Sequence, residues 1–245
     1  MKIGFTSTTF KKLEAEEICA LAARAGADCI EWSGLHVSNP ARAGEIAARC
    51  IATGIERCSL GSYYYVGEAG AERWESLCQT AAALGAGLIR VWLGKKGGAQ
   101  TDEDEYAAIL ADAENMLKTA SGCGLAIAAE AHPNTYNDSL ETSLRFLRDI
   151  DNKGFGTYFQ SLYLDMDADL ERLERTFLYI RAVHVSFSEV KKNRRLRPKE
   201  DCVEAIINKL REKNFQGPVL LEFCKNDRPD EFLKDMDYLR RLTDA

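Results

Sequence analysis

The chain has 245 residues and a mass of 27.3 kDa, room for one large domain or two small ones. At 46% hydrophobic and 29% charged residues it has ordinary globular composition, which excludes wholesale disorder. Its 32 Lys and Arg against 38 Asp and Glu give a formal charge of −6, which argues against nucleic acid as a main partner.

Short β-rich runs recur in chain order: KIGFT (2–6), DCIEW (28–32), ERCSL (56–60), LIRVW (88–92), AIAAE (126–130), TYFQ (157–160), RAVHV (181–185) and PVLLE (218–222). They come roughly 30 residues apart, the length of one strand-and-crossover unit. Stretches of helical period fill the gaps, among them LEAEEICALAARAG (13–26) and ARAGEIAARCIATG (41–54). A longer one ends at Gly122, with Asp104 read as its cap position. Gly26, Gly54, Gly85 and Gly122 stand where helices stop. Asp138-Ser139 opens another helix, with Glu141 placed for a capping box on Asp138.

Strands alternating with helices specify a parallel sheet. Eight such units without a linker or composition break predict a single (β/α)8 TIM barrel over 1–245. A doubly wound sheet is the competitor, but the first turn, FTSTTFKK, lacks a glycine-rich phosphate signature. No apolar run approaches the ~18 residues that a membrane span needs. The N-terminus shows no secretory h-region. The eight cysteines are scattered without a CxxC pair, as small buried hydrophobes in a reducing compartment are. A cytoplasmic protein is expected.

In such a barrel the active site gathers at the C-terminal ends of the strands. Those ends carry Glu31 and Trp32, Tyr63 to Tyr65, Arg90, Trp92 and Lys95, then Glu130 and His132, Gln160, His184 and Glu222. Each alone has an ordinary structural explanation: a glutamate paired with a neighbouring cation, a satisfied core histidine. Glu130, Gln160, His184 and Glu222 on four consecutive strand ends point instead to a shared polar site. Two carboxylates, an imidazole and an amide oxygen suit a divalent cation with open positions for substrate oxygens.

The segments MKIGF, CIEW, AAEAHPNTYNDS, RAVHVSF and VLLEFCKND resemble the xylose-isomerase-like barrels. That family includes sugar-phosphate isomerases and epimerases, inosose dehydratase, hydroxypyruvate isomerase and endonuclease IV. The resemblance covers essentially the whole chain. It implies one divalent metal held by Glu, Asp, His and Glu on the last four strands, which carries over to Glu130, His184 and Glu222. By spacing, Gln160 takes the place of the Asp, with Asp165 as the alternative. Tyr136 and Tyr163 stand where ketose 3-epimerases carry further site residues, which argues against that activity in particular.

The metal expected is one Mn2+, Mg2+, Co2+ or Zn2+ ion. Glu130 and Glu222 are the expected proton-transfer groups, and Trp32, Arg90, Trp92 and His132 are expected to line the substrate. The loop after the seventh strand, SEVKKNRRLRP, offers Arg194 or Arg195 for a phosphate or carboxylate. The reading that follows is a metal-dependent sugar or sugar-phosphate isomerase or epimerase, working next to a carbonyl through an enediolate. The alternatives are an inosose-dehydratase-like lyase and a sugar-binding barrel without catalysis. Dimers and tetramers are common in the family, which leaves a homo-oligomer open. An endonuclease-IV-like trinuclear zinc site needs more than the three histidines present.

Overall fold

Eight strands, each buried on both sides and each followed by a helix, close on themselves. The strands are β1 (Lys2–Thr6), β2 (Cys29–Ser33), β3 (Glu56–Val66), β4 (Leu88–Leu93), β5 (Ala126–Glu130), β6 (Phe155–Phe159), β7 (Ile180–Val185) and β8 (Pro218–Leu221). The helices are α1 (Ala15–Arg24), α2 (Pro40–Thr53), α3 (Ala71–Leu84), α4 (Glu103–Gly122), α5 (Leu140–Ile150), α6 (Met166–Thr176), α7 (Pro198–Glu212) and α8 (Pro229–Asp244). The computed structural model describes residues 1–68, 70–161, 166–187 and 198–244. Neighbouring strands pair in parallel in chain order and β8 returns to β1, giving the expected closed (β/α)8 barrel.

The two side-chain layers follow from the period of two along a strand. Even-facing positions Cys29, Leu88, Ala128, Tyr158, Ala182 and Leu220 fill the barrel interior. The alternate positions, such as Ile30, Trp32, Ile89, Val91, Ile127, Val183 and Val219, pack outward against the helices in the larger core. Cys19, Cys29, Cys50, Cys78 and Cys224 are buried free thiols, as their scatter suggests. Among the described residues no helix is long and apolar enough to cross a membrane.

Local signals differ from expectation at four places. β3 runs on to Val66 through a register shift between Gly61 and Tyr65, so Tyr63 to Tyr65 belong to the strand. β6 lies at 155–159, leaving Gln160 just beyond it. The cap of α4 is Asp102, not Asp104, because only Asp102 has a glutamate three residues on, Glu105, to complete a capping box. The cap of α5 is Ser139, since Asp138 is already engaged: its Oδ1 accepts the Gly98 N–H at 3.0 Å.

Gly4 lies close against β2, for a Cβ there would overlap the Cys29 carbonyl. Gly4→Ala is expected to lower stability by about 1–3 kcal/mol. A denaturant midpoint unchanged from that of the parent protein would refute this.

Candidate active site

Two residues on from each interior position, toward the C-terminal end of its strand, stands a polar side chain. Cys29 leads to Glu31, Leu88 to Arg90, Ala128 to Glu130, Tyr158 to Gln160, Ala182 to His184 and Leu220 to Glu222. The strand period therefore aims six polar groups at one end of the barrel. Four are almost wholly buried: Glu31 at 2%, Arg90 at 4%, Glu130 at 2% and His184 at 2% exposure. Charges so deep must be compensated by one another.

Arg90 is the centre of that compensation. Its Nη1 donates to Glu130 Oε2, and its Nε lies 3.5 Å from Glu31 Oε1. Trp92 Nε1 donates to the same Glu130 Oε2 at 2.7 Å, and the Arg90 guanidinium lies over the Trp92 ring. Ser59 Oγ donates to Glu31 Oε2 at 2.9 Å. Gly61 leaves the room, since a Cβ there would come within 2.9 Å of Glu31 Oε1 and 3.1 Å of Arg90 Nη2.

Glu130 Oε1 is left facing His184. The His184 Nδ1 lies 3.4 Å from Glu130 Oε1 and 3.4 Å from Glu222 Oε2. One ligand atom from each of these three residues falls within 4.8 Å of the others. Among the described residues neither nitrogen of His184 has a partner in hydrogen-bonding geometry. Gln160 lines the same cavity as His184 and Glu222. Its Nε2 donates to the Ala131 carbonyl at 2.7 Å, and the amide's acceptor atom is Oε1. The Arg172 Nη2 donates to the Gln160 carbonyl and holds that backbone.

The charges fit a divalent cation. With His184 neutral, as a ligand must be, three carboxylates, Glu31, Glu130 and Glu222, face one guanidinium, Arg90, which leaves an excess of two negative charges. An orphaned buried imidazole nitrogen between two carboxylate oxygens is a mixed N/O donor set of the kind Mn2+, Co2+ and Zn2+ accept.

Burial favours the neutral imidazole, but Glu222, Glu31 and Glu130 outweigh it and hold the His184 pKa well above its ordinary 6.5. Burial would raise the Glu130 carboxyl, yet Arg90 and His184 hold it well below the usual carboxylate range. Glu31 is lowered against burial in the same way by His184 and Arg90. Burial disfavours the charged Arg90 guanidinium, but Glu130 and Glu31 outweigh it and raise its pKa.

The expected residues divide accordingly. Glu130, Gln160, His184, Glu222 and Trp92 come together. Arg90 joins them as the buried counter-ion of two glutamates rather than as a group open to substrate. Trp32 does not: it is 0% exposed and packs in the outer core, edge-on to His36, because its strand parity points it away from the interior. His132 is exposed, with its ring 5.7 Å from Trp92 and its Nδ1 2.8 Å from the Pro133 carbonyl. Tyr63 and Tyr65 flank Trp92 at 5.7 and 5.1 Å. Arg194, Arg195 and Asp165 lie outside the described residues. The role of Glu31 was not anticipated, although parity with Cys29 was readable and separates it from Trp32.

Comparison with known proteins bears on the fold. A family profile described as xylose isomerase-like TIM barrel matches residues 19–242. The chain belongs to that family. Among solved structures it is similar to the probable 3-DHS dehydratase AsbF of Bacillus anthracis, at 17% identity and TM-score 0.82, covering 98% of this chain and 99% of that one. It is also similar to D-psicose 3-epimerase of Clostridium cellulolyticum H10, at 14% identity and TM-score 0.77, covering 99% of each chain. A third, the IOLI protein with a bound zinc atom, has 15% identity and TM-score 0.75, covering 99% of this chain and 96% of that one. At such identities these likenesses establish the fold alone. No curated protein matches by sequence.

Arg90→Met would leave Glu31 and Glu130 buried without their cation. A loss of about 3–5 kcal/mol of stability is expected at neutral pH. Urea unfolding decides it, and a variant as stable as the parent would show that Arg90 does not compensate them.

Proposed function

We propose that this protein is a metal-dependent sugar isomerase or epimerase that moves a proton next to a carbonyl through an enediolate. The observation that carries the reading is the Glu130–His184–Glu222 cluster, facing the end of the barrel where this fold places its active sites. Gln160 completes the donor set through Oε1. A divalent cation held there would supply electrophilic polarisation of a carbonyl and a neighbouring hydroxyl.

The chain's own residues do the rest. Glu222, at 17% exposure the most open of the three carboxylates, faces the cavity and takes the proton from carbon. Glu222, protonated by that step, returns the proton to the neighbouring carbon for isomerisation. Return to the opposite face, for epimerisation, falls to Glu130 Oε1 after it has taken a proton from a substrate hydroxyl, its other oxygen being held by Arg90 and Trp92. Trp92, with Tyr63 and Tyr65 beside it, supplies an apolar wall for the C–H face of a sugar. His132, exposed beside Trp92, is the group assigned to a substrate hydroxyl.

A second reading has its own support. The clamp on Glu130 leaves Glu222 as the one unclamped carboxylate, and a single base suffices to eliminate a hydroxyl. That favours a lyase of the inosose-dehydratase kind. The two separate by product: a lyase yields an unsaturated or keto product that absorbs in the ultraviolet, and an isomerase does not.

Elemental analysis of the purified protein is expected to show about one divalent ion per chain, in line with the donor count of a single mixed N/O site. Glu130→Gln should abolish it and Gln160→Ala should weaken it. Gln160→Glu should also bind more weakly than the parent despite its added charge, because a carboxylate cannot donate to the Ala131 carbonyl. A protein that stays metal-free in excess Mn2+, Co2+ and Zn2+ would sink the metal mechanism.

Binding at Nδ1 requires that nitrogen to be unprotonated, and the surrounding carboxylates raise the His184 pKa well above its ordinary value. Metal affinity is therefore expected to rise with pH, with proton release on binding. Calorimetry in two buffers of different ionisation enthalpy measures that release. Identical apparent enthalpies would contradict it.

A further inference from the structure

Glu31 is a carboxylate 2% exposed, on a strand whose neighbours in the interior are apolar. If its purpose were to neutralise Arg90, it would be redundant, because Glu130 already receives an Arg90 N–H directly. Its Oε1 instead sits between two groups, 3.5 Å from Arg90 Nε and 3.4 Å from His184 Nε2. Its Oε2 accepts the Ser59 hydroxyl at 2.9 Å. The carboxylate is thus held by one hydrogen bond and two close basic neighbours, and the nitrogen it faces, Nε2, is the one turned away from Glu130 and Glu222.

The imidazole has two distinct nitrogens, and the partner of one decides what the other can do. Here Nδ1 faces Glu130 and Glu222, and Nε2 faces Glu31. The Tyr158 ring packs edge-on against His184, with centroids 4.9 Å apart and an interplanar angle of 64°, which limits ring tilt. A ring free to flip would present either nitrogen to the cavity.

We propose that Glu31 is a positioning residue. Held by Ser59 and Arg90, it keeps the Nε2 proton of His184 on its own side and so turns Nδ1 to the Glu130–Glu222 pair. The inference rests on the metal reading of that cluster and goes beyond it. It assigns the tautomer and orientation of the ligating imidazole to a residue that touches neither metal nor substrate. Outer partners of this kind contribute about 10–100-fold to metal affinity.

The experiment uses Zn2+ alone as probe, with the full chain. Zn2+ affinity is measured by competition with a chromophoric chelator for the parent, Glu130→Gln, Glu31→Gln and Ser59→Ala. Long-range 1H–15N spectra of the Zn2+-loaded proteins report ring tautomers, and the chain has only 3 histidines to assign. Glu31→Gln keeps the size of the side chain and one acceptor oxygen but removes the charge. It is expected to bind Zn2+ about 10–100-fold more weakly, with a thermal midpoint close to the parent's and a His184 signal no longer purely Nε2–H. Ser59→Ala removes one support of Glu31 without changing any charge, and should weaken binding in the same direction by less. It serves if Glu31→Gln fails to fold.

Parent-like affinity with an unchanged His184 tautomer, in Glu31→Gln or, should that variant not fold, in Ser59→Ala, would overturn the proposal while leaving the metal site intact. Failure of the parent to bind Zn2+, or binding undiminished in Glu130→Gln, would overturn the site itself and this inference with it.

Discussion

The arrangement of the site depends on one buried guanidinium. Arg90 stands between Glu31 and Glu130, and without it neither carboxylate could stay ionised inside the barrel. Its worth is not net stability, because desolvating three charges costs about as much as their attraction returns. Its effect is geometric. By taking one oxygen of Glu130, together with Trp92 Nε1, it leaves a single oxygen directed at His184. By standing beside Glu31 it holds the carboxylate on the other flank of the same ring. Arg90 therefore orders both sides of the imidazole without touching it.

A second constraint acts on Glu222. Its N–H donates to the Val185 carbonyl at 2.8 Å, continuing the β7–β8 ladder one residue past the strand. The next residue, Phe223, then turns into the left-handed region at φ 60°, which is uncommon for a bulky aromatic side chain. Its N–H is accepted by Thr9 Oγ1 at 3.0 Å, on the turn that follows β1. Strain of this kind persists only where its surroundings over-determine it. The seam that closes the barrel, β8 against β1, is thus also what aims Glu222. The mouth is accordingly uneven, with aromatic rings on the β3–β4 side and Val203, Ile206 and Phe223 lining the cavity on the α7–β8 side.

Much of this was legible in the chain itself. The eight strands fall within a few residues of where their β-rich runs lie, because a strand buried on both faces must be apolar along its length. Glu130, His184 and Glu222 were readable because a charged residue ending such a strand needs an explanation. What was harder is the direction of a side chain. Trp32 and Glu31 are adjacent, and only parity with Cys29 tells that the glutamate points in and the tryptophan out. Arg90 looked like a substrate contact because its two partners, on β2 and β5, are distant in sequence. The helix caps failed for a similar reason: Asp138 matches the capping pattern, but a tertiary contact with Gly98 had already claimed it.

The amide at position 160 follows from the same balance of charges. With His184 neutral, the three carboxylates exceed Arg90 by two, the charge of one divalent ion, so a cation bound there would balance the group. An aspartate there would add a third excess charge and lose the N–H that Gln160 now donates to the Ala131 carbonyl at 2.7 Å. On the reading in which Gln160, not Asp165, takes the place of the Asp that the family resemblance implies, the change is matched by its surroundings. The neighbouring backbone asks for a donor, the guanidinium on β4 has two carboxylates to hold already, and Gln160 meets both conditions with one side chain.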